Sequence, residues 1–267
     1  ADSKNAKSFH EIFQWLKPDV FIDNHVSNGA DYQYTFTYIS TFKERLGEIL
    51  GEYFHNDFQA KNLQELKKLG YESTPYVNIH GDIPDTGFAA FEDSPRYSTG
   101  YASLFNTMAT MPETHMLKPY DKRVDATYHY MLVNLQNLDK NYLKIKQLRL
   151  ENLKQYKPGK QYGIQWKIDS TKYSMMDFKG FEGQYKPSEI SGKPRLYYDR
   201  TKPFVKKIKL FNTAKATKFI TIPKSYIIPQ SEYRVLAELQ RNGIQMEQIT
   251  KNITFFFGNT FGVTSNS

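Results

Sequence analysis

The 267-residue sequence contains no cysteine, which excludes disulfides, thiolate zinc sites, iron–sulfur clusters and a cysteine nucleophile. It also lacks any run of roughly 18 apolar residues, the length that a membrane-spanning helix needs, so we expect no membrane span. The first residue is alanine, and no charged, apolar and small-residue leader pattern precedes it. We therefore expect a processed or excised segment.

Several widespread catalytic motifs are also missing. The sequence has no H-E-x-x-H zinc motif, no G-x-S-x-G nucleophile elbow, no Walker A loop and no dinucleotide fingerprint. No histidine is followed by an acidic residue three positions later. Zincin, α/β-hydrolase, P-loop and dinucleotide-binding sites of the standard form are thus excluded.

The net charge is +8, from 36 Lys and Arg against 28 Asp and Glu. The basic residues are concentrated between about residues 140 and 224, where they alternate with apolar residues. This alternation is typical of the solvated faces of strands and helices. No RNA-recognition, helix-turn-helix or zinc-finger spacing accompanies it, so we expect no nucleic-acid partner.

The N-terminal sequence predicts a layered α/β arrangement. Apolar residues recur at helical spacing over residues 5–17, and a strand pattern follows at 19–23. A second helix is predicted over 41–54, with Thr41 as its N-cap and Glu44 completing a capping box. A helix joined tightly to a strand is one unit of an α/β domain.

The rest of the chain divides near residue 157. A strand at 76–79, a long loop over 80–100 and a helix over 122–156 complete the first part. The Tyr-Lys-Pro-Gly sequence at 156–159 then breaks the helix. Short alternating runs follow, which predict strands at 162–166, 193–198, 204–211 and 219–222, and a helix at 230–242. We predict an α/β domain over residues 1–157 and a smaller β-rich domain over residues 158–267.

His25 stands where the first predicted strand runs into the polar loop SNGADY. Ligands and catalytic groups of open α/β sheets gather at such junctions, so His25 is a candidate metal ligand. Asp23 and Asn24 supply polar groups that would orient a metal-bound ring. The alternative is a histidine that caps the strand end by hydrogen-bonding the loop backbone.

Glu113 follows an apolar run in MATMPETHMLKPY. A carboxylate flanked by apolar residues at a strand terminus is a candidate for a raised pKa and for general acid–base catalysis. The alternative is a structural glutamate that pairs with Lys118 or Arg123 across a turn.

Arg96 and Tyr97 lie in the predicted long loop, in DSPRYSTGY. A guanidinium beside a phenol is suited to holding a substrate carboxylate through two hydrogen bonds. The alternative is an ion pair between Arg96 and Asp93 within a turn. His80, at the exit of the predicted strand 76–79, is a further ligand candidate.

The segments FIDNHVSNGADYQYT and MPETHMLKPY, in that order, resemble the zinc carboxypeptidase family. The resemblance covers residues 1 to about 130 and continues more loosely into IPKSYIIPQSEYRVLAELQRNGIQM. It implies part of a three-layer mixed sheet with flanking helices, followed by an accessory β-rich module. That family's H-x-x-E and Asn-Arg motifs are absent from this sequence.

The resemblance also implies a function. His25 would be the last of three zinc ligands, and Glu113 would be the catalytic glutamate that activates a zinc-bound water. Arg96 and either Tyr97 or Tyr101 would contact the substrate, a peptide or a peptidoglycan stem peptide, and the protein would be periplasmic or extracellular. Because two zinc ligands are missing, we expect little activity from this chain alone. The alternative is a non-catalytic glycan- or peptide-binding protein on the same scaffold.

Overall fold

A computed structural model describes residues 3–250, and its helices and sheets confirm the predicted α/β class. The helices are α1 (Lys4–Leu16), α2 (Lys43–Leu46), α3 (Glu48–Tyr53), α4 (Ala60–Lys68), α5 (Ser98–Ser103), α6 (Tyr120–Leu153) and α7 (Tyr233–Arg241). A π-helical segment, Phe54–Gln59, joins α3 to α4. The strands are β1 (Val20–Ile22), β2 (His25–Ser27), β3 (Phe36–Ser40), β4 (Ser73–Pro75), β5 (Gly87–Ala89), β6 (Met108–His115), β7 (Gln161–Ile168), β8 (Ser174–Pro187), β9 (Pro194–Phe211) and β10 (Ala214–Thr221).

Strand β6 is the centre of the largest sheet, whose strands run β1-β6-β3-β4 with β2 also paired to β6. Every residue of β6 is buried, as its apolar sequence predicts. Strands β1 and β2 are parallel to β6, whereas β3 is antiparallel to it. A single buried strand therefore fixes the positions of three others.

Helices cover this sheet because their apolar faces match the pattern of its buried side chains. The Tyr130 ring of α6 packs on Phe36 of β3, with ring centroids 4.8 Å apart. Met108 of β6 lies in a second cluster with Leu50 of α3 and Ile145 of α6. Helix α6 thus contacts the sheet and the helices beside it along most of its length.

The β-rich part contains two further sheets. Strands β8 and β9 form a long antiparallel hairpin, and β5 pairs in parallel with β9. Strands β7 and β10 form a separate antiparallel pair. The sequence patterns predicted β7, β9 and β10 but missed β8.

The chain separates into two compact units, one of residues 18–226 and one that joins the N-terminal segment up to Lys17 with the segment from Ile227. In the smaller unit, Arg241 of α7 pairs with Glu11 of α1. The boundary predicted at residue 157 falls within the larger unit, just after α6 ends, and stays a prediction. The last part of the predicted β-rich domain, residues 251–267, lies outside the described residues.

Three local predictions were wrong. Residues 76–79 form no strand, and β4 lies just before them at 73–75. Thr41 does not cap a helix, because its hydroxyl donates to the carbonyl of Thr99 and Phe42 takes the N-cap position. The predicted helix at 41–54 is split at Gly47, whose φ of 89° does not fit a helix.

No helix within residues 3–250 has both the length and the apolar character needed to cross a bilayer.

A buried ion cluster anchors α2 to the loop before α5. Arg45 is 4% exposed, and its guanidinium donates to the backbone carbonyl and the carboxylate of Asp93, the latter at 3.0 Å. It also pairs with Glu92. Gly100 completes the fit, since a Cβ there would lie 2.0 Å from the carbonyl oxygen of Asp93.

We predict that Arg45→Met lowers the free energy of unfolding by about 3–5 kcal/mol, because it leaves the Asp93 carboxylate buried without its partner. Urea unfolding followed by circular dichroism measures the change. Lys68→Met is the control, because Lys68 bonds Glu65 on the surface at 2.7 Å and such pairs contribute about 1 kcal/mol or less. Equal losses in the two variants would contradict a structural role for Arg45.

Candidate active site

Strand pairing brings His25 and Glu113 side by side. Strand β2 runs parallel to β6 with His25 in register with Glu113. Residues in register on neighbouring strands project their side chains to the same face of the sheet. Two residues far apart in the sequence thus become neighbours at the β2 edge of the central sheet.

Glu113 is largely buried, with 8% of its surface exposed. The hydroxyl of Thr37, its register partner on β3, donates to the Glu113 backbone carbonyl at 2.9 Å. Burial raises the pKa of the Glu113 carboxyl to about 7. The charge of His25 opposes this rise, and the charge of Asp23 adds to it. The alternative pairing of Glu113 with Lys118 is not observed, since Lys118 pairs with Asp31, and no ion pair joins Glu113 to Arg123.

His25 begins β2, and its ring is partly exposed. Its Nε2 lies 3.0 Å from Oδ2 of Asp23, and the same carboxylate oxygen accepts a hydrogen bond from the Ser98 hydroxyl. Asp23 therefore orients the imidazole, as the sequence predicted. Asn24 does not, because its amide donates to the Met131 sulfur at 3.3 Å.

The Tyr76 phenol lies near the Glu113 carboxyl. Burial raises the pKa of the Tyr76 phenol, and the nearby Glu113 charge contributes. The phenol donates to Oδ1 of Asn28 at 3.3 Å. No sequence pattern identified Tyr76, because its position depends on the pairing of β3 with β4.

The loop that carries Arg96 and Tyr97 contacts Tyr76 through the Phe91 ring. The Phe91 ring lies 6.0 Å from the Tyr76 ring and 4.9 Å from the Tyr97 ring, and Tyr97 is 41% exposed. Ser98, the next residue, bonds Asp23. Tyr97 is thus connected to Tyr76 through Phe91, and the residue after it contacts Asp23.

The Arg96 side chain is exposed, and it makes no ion pair or hydrogen bond with the residues that the structure describes. The alternative pairing with Asp93 is not observed, because Asp93 binds Arg45. The guanidinium is therefore available to an anionic ligand.

Two other histidine candidates, His115 and His80, lie in different surroundings. His115 is fully buried, and its Nε2 lies 2.9 Å from the carbonyl oxygen of Ala30. Its Nδ1 accepts a hydrogen bond from the backbone N–H of Leu117. His80 lies beside Gly29. Position 29 has no space for a side chain, because its φ is 90° and the Ile79 carbonyl lies close to it. Neither ring joins the Asp23–His25–Glu113 cluster.

The residues of this cluster do not form a complete zinc site. Catalytic zinc uses three protein ligands and one open position. Among residues 3–250, no group of three His, Cys, Asp or Glu side chains is placed to hold a metal ion. His25 can provide one ligand through Nδ1, with Asp23 holding the other nitrogen, which is the usual support for a metal-binding histidine.

The cluster also lies outside two surface cavities of the larger unit. One, of about 630 Å³, lies between α4 and α6, and the other, of about 260 Å³, is lined by Arg45 and Trp166. Neither is lined by His25 or Glu113. The cluster is distinguished by its chemistry, which is a carboxyl of raised pKa beside an imidazole held by Asp23.

Comparisons with protein-family models, curated proteins and solved structures find no match to this chain. The geometry of the cluster is therefore the basis for assigning a function.

We predict that Glu113 titrates near pH 7 and that this titration affects stability. Its pKa of about 7 in the folded state lies above the ordinary value of 4.5, so the folded state binds the proton more tightly. The stabilisation is complete below about pH 4.5 and is lost as the pH rises through 7, with a total change of about 3 kcal/mol. Urea unfolding between pH 4.5 and 8 and carboxyl NMR test this.

Glu113→Gln should lack this pH dependence, whereas Glu65→Gln, at an exposed carboxylate, should retain it. Asp23→Asn should lower the pKa of Glu113, and His25→Ala should raise it, because these side chains act on it with opposite signs. A Glu113 midpoint near 4.5 would show that the carboxyl is not desolvated.

Proposed function

We propose that His25 and Glu113 belong to the active site of a zinc metallocarboxypeptidase-type hydrolase, which releases C-terminal residues from peptides. The observation that carries this proposal is the β2–β6 register, which sets an imidazole oriented by Asp23 next to a desolvated carboxyl. The resemblance gives these two residues roles in one site, and a register that makes them neighbours supports those roles.

Glu113 is the general base of the proposed reaction. A base works best when its pKa lies near the working pH, and the pKa of Glu113 is about 7. The carboxylate takes a proton from the attacking water and passes it to the leaving amine. Its buried position excludes competing water from one side of the carboxylate.

His25 is a zinc ligand in this proposal, and Asp23 holds its ring in place. Bound zinc would polarise the scissile carbonyl and lower the pKa of its water. Since residues 3–250 offer no three-ligand group, the other two ligands have to come from outside these residues.

Arg96 and Tyr97 recognise the substrate. The exposed guanidinium is suited to the terminal carboxylate of a peptide, including a peptidoglycan stem peptide. Tyr97 would add a partly exposed ring and a hydroxyl for contact with the substrate. Substrates of this kind are consistent with the periplasmic or extracellular location that the resemblance implies.

The test is hydrolysis of blocked dipeptides by the full-length protein. The measured quantity is the free C-terminal amino acid that is released. We expect Glu113→Gln to lower kcat by about 10²–10⁴-fold, the usual contribution of a general base. Arg96→Ala should raise KM with little change in kcat. Full activity in Glu113→Gln would reject the proposal, and peptide or glycan binding without turnover would support the non-catalytic alternative.

We also expect residues 1–267 alone to bind zinc weakly. The free energy of binding should be far smaller than the roughly 10–16 kcal/mol of complete structural zinc sites. Isothermal titration with ZnCl₂ measures this, and His25→Ala should abolish the remaining binding. Stoichiometric, tightly bound zinc in the purified segment would contradict the assignment of only one ligand.

A further inference from the structure

Helix α6 is apolar on two opposite faces. Its inner face carries buried side chains, among them Tyr130, Val133 and Ile145. Its outer face, where a polar surface is expected, carries leucines that are 37–67% exposed: Leu132, Leu135, Leu143, Leu150 and Leu153. A helix that is apolar on opposite faces is usually covered on both of them.

These leucines form a continuous stripe. Positions separated by three or four residues lie on one side of a helix, and the stripe keeps this spacing over residues 132–153. The two remaining stripe positions are Asp139 and Lys146, and exposed Tyr142 lies next to Leu143. We call residues 132, 135, 139, 142, 143, 146, 150 and 153 the outer stripe.

The four outer leucines of the stripe are placed symmetrically about its midpoint. Leu132 and Leu153 are equally distant from the midpoint between residues 142 and 143, and so are Leu135 and Leu150. The same midpoint relates Asp139 to Lys146, which carry opposite charges. Rotation about that midpoint therefore matches leucine with leucine and carboxylate with ammonium.

This symmetry identifies a partner. In a two-fold dimer each contact occurs twice, because residue i meets residue j and residue j meets residue i. Antiparallel packing of two α6 helices would set Leu132 against the partner's Leu153 and Leu135 against the partner's Leu150. Asp139 would face the partner's Lys146, which gives two complementary ion pairs.

We propose that the outer stripe is a homodimer interface in which α6 packs antiparallel against α6 of a second copy. A parallel pair would set Asp139 against the partner's Asp139, which is repulsive. An unrelated partner would not require a sequence that is symmetric about one point. Complementary charge and two-fold order together select a second copy of this chain.

The exposed area is sufficient for such a contact. Each buried leucine removes roughly 60–120 Å² of apolar surface from water. The leucines and Tyr142 of two copies together present on the order of 1,000 Å², which is the lower bound for a specific interface. We therefore expect a reversible dimer of moderate affinity.

Sedimentation velocity of the full chain, with charge reversals, tests the interface. Asp139→Lys and Lys146→Asp should each weaken the dimer about tenfold, because each turns two attractions into repulsions. The combined variant should restore it, since the charges are again complementary. Lys122→Asp, at an exposed position outside the outer stripe, is the control and should leave the dimer unchanged.

Cysteine cross-linking tests the direction of packing, and the cysteine-free sequence makes each result unambiguous. Leu143→Cys lies next to the two-fold axis, which brings the two copies of residue 143 close together, and should form a disulfide-linked dimer under mild oxidation. Leu135→Cys alone should not, because residue 135 faces the partner's residue 150. A mixture of Leu135→Cys and Leu150→Cys chains should form the mixed disulfide.

Circular dichroism confirms that each variant is folded before these measurements are compared. A wild-type chain that stays monomeric at about 100 µM would overturn the proposal. So would a dimer that the combined charge reversal does not restore, or Leu135→Cys chains that cross-link with one another.

Discussion

The structure depends on the burial of β6 between β1, β2 and β3. Because every residue of this strand is buried, its backbone groups have to be satisfied by neighbouring strands. The parallel pairing with β2 sets the register of His25 against Glu113, and the antiparallel pairing with β3 places Thr37 on the other side. A shift of one residue would turn the Glu113 side chain to the opposite face and separate it from His25.

The same burial has an energetic cost at Glu113, and the fold does not offset it with a buried cation. A carboxyl group in a sheet centre loses its hydration, and only a partly exposed imidazole lies near enough to offset this. A glutamine would fit the space without the cost of a charge. Desolvated carboxyls of this kind concentrate at catalytic sites, where a pKa near neutrality is useful. Asp31 contrasts with Glu113, since two cations, Lys118 and Arg200, neutralise it and its role is structural.

The sequence was most informative where local pattern decides structure. The apolar run before Glu113 and the helical spacing of α6 predicted a buried strand and a long helix, and both are present. Residues 76–79 show the limit of this approach. Tyr76 and Val77 have the side chains of a strand, but they are buried in side-chain clusters rather than in a ladder. A pattern of apolar residues predicts that side chains are buried, but a buried segment need not pair as a strand.

The candidate site was predictable only in part for a related reason. His25 and Glu113 stand at recognisable positions in their own segments, and Asp23 is close enough in sequence to be chosen as a partner. Ser98 and Tyr76 could not be chosen, because they reach the cluster through chain folding between distant segments. Strand β8 was missed similarly, since Gly180 and Gly183 interrupt its alternation and its pairing with β9 supplies the missing order.

Helix α6 connects the site to the rest of the larger unit. Its Tyr130 packs on β3, which pairs with β6, and its Met131 accepts the Asn24 amide next to His25. Both contacts lie on the N-terminal half of the helix and on its inner side or flank. The leucines opposite them make no contribution to this sheet. A second surface that covers these leucines would give their regular order a physical explanation.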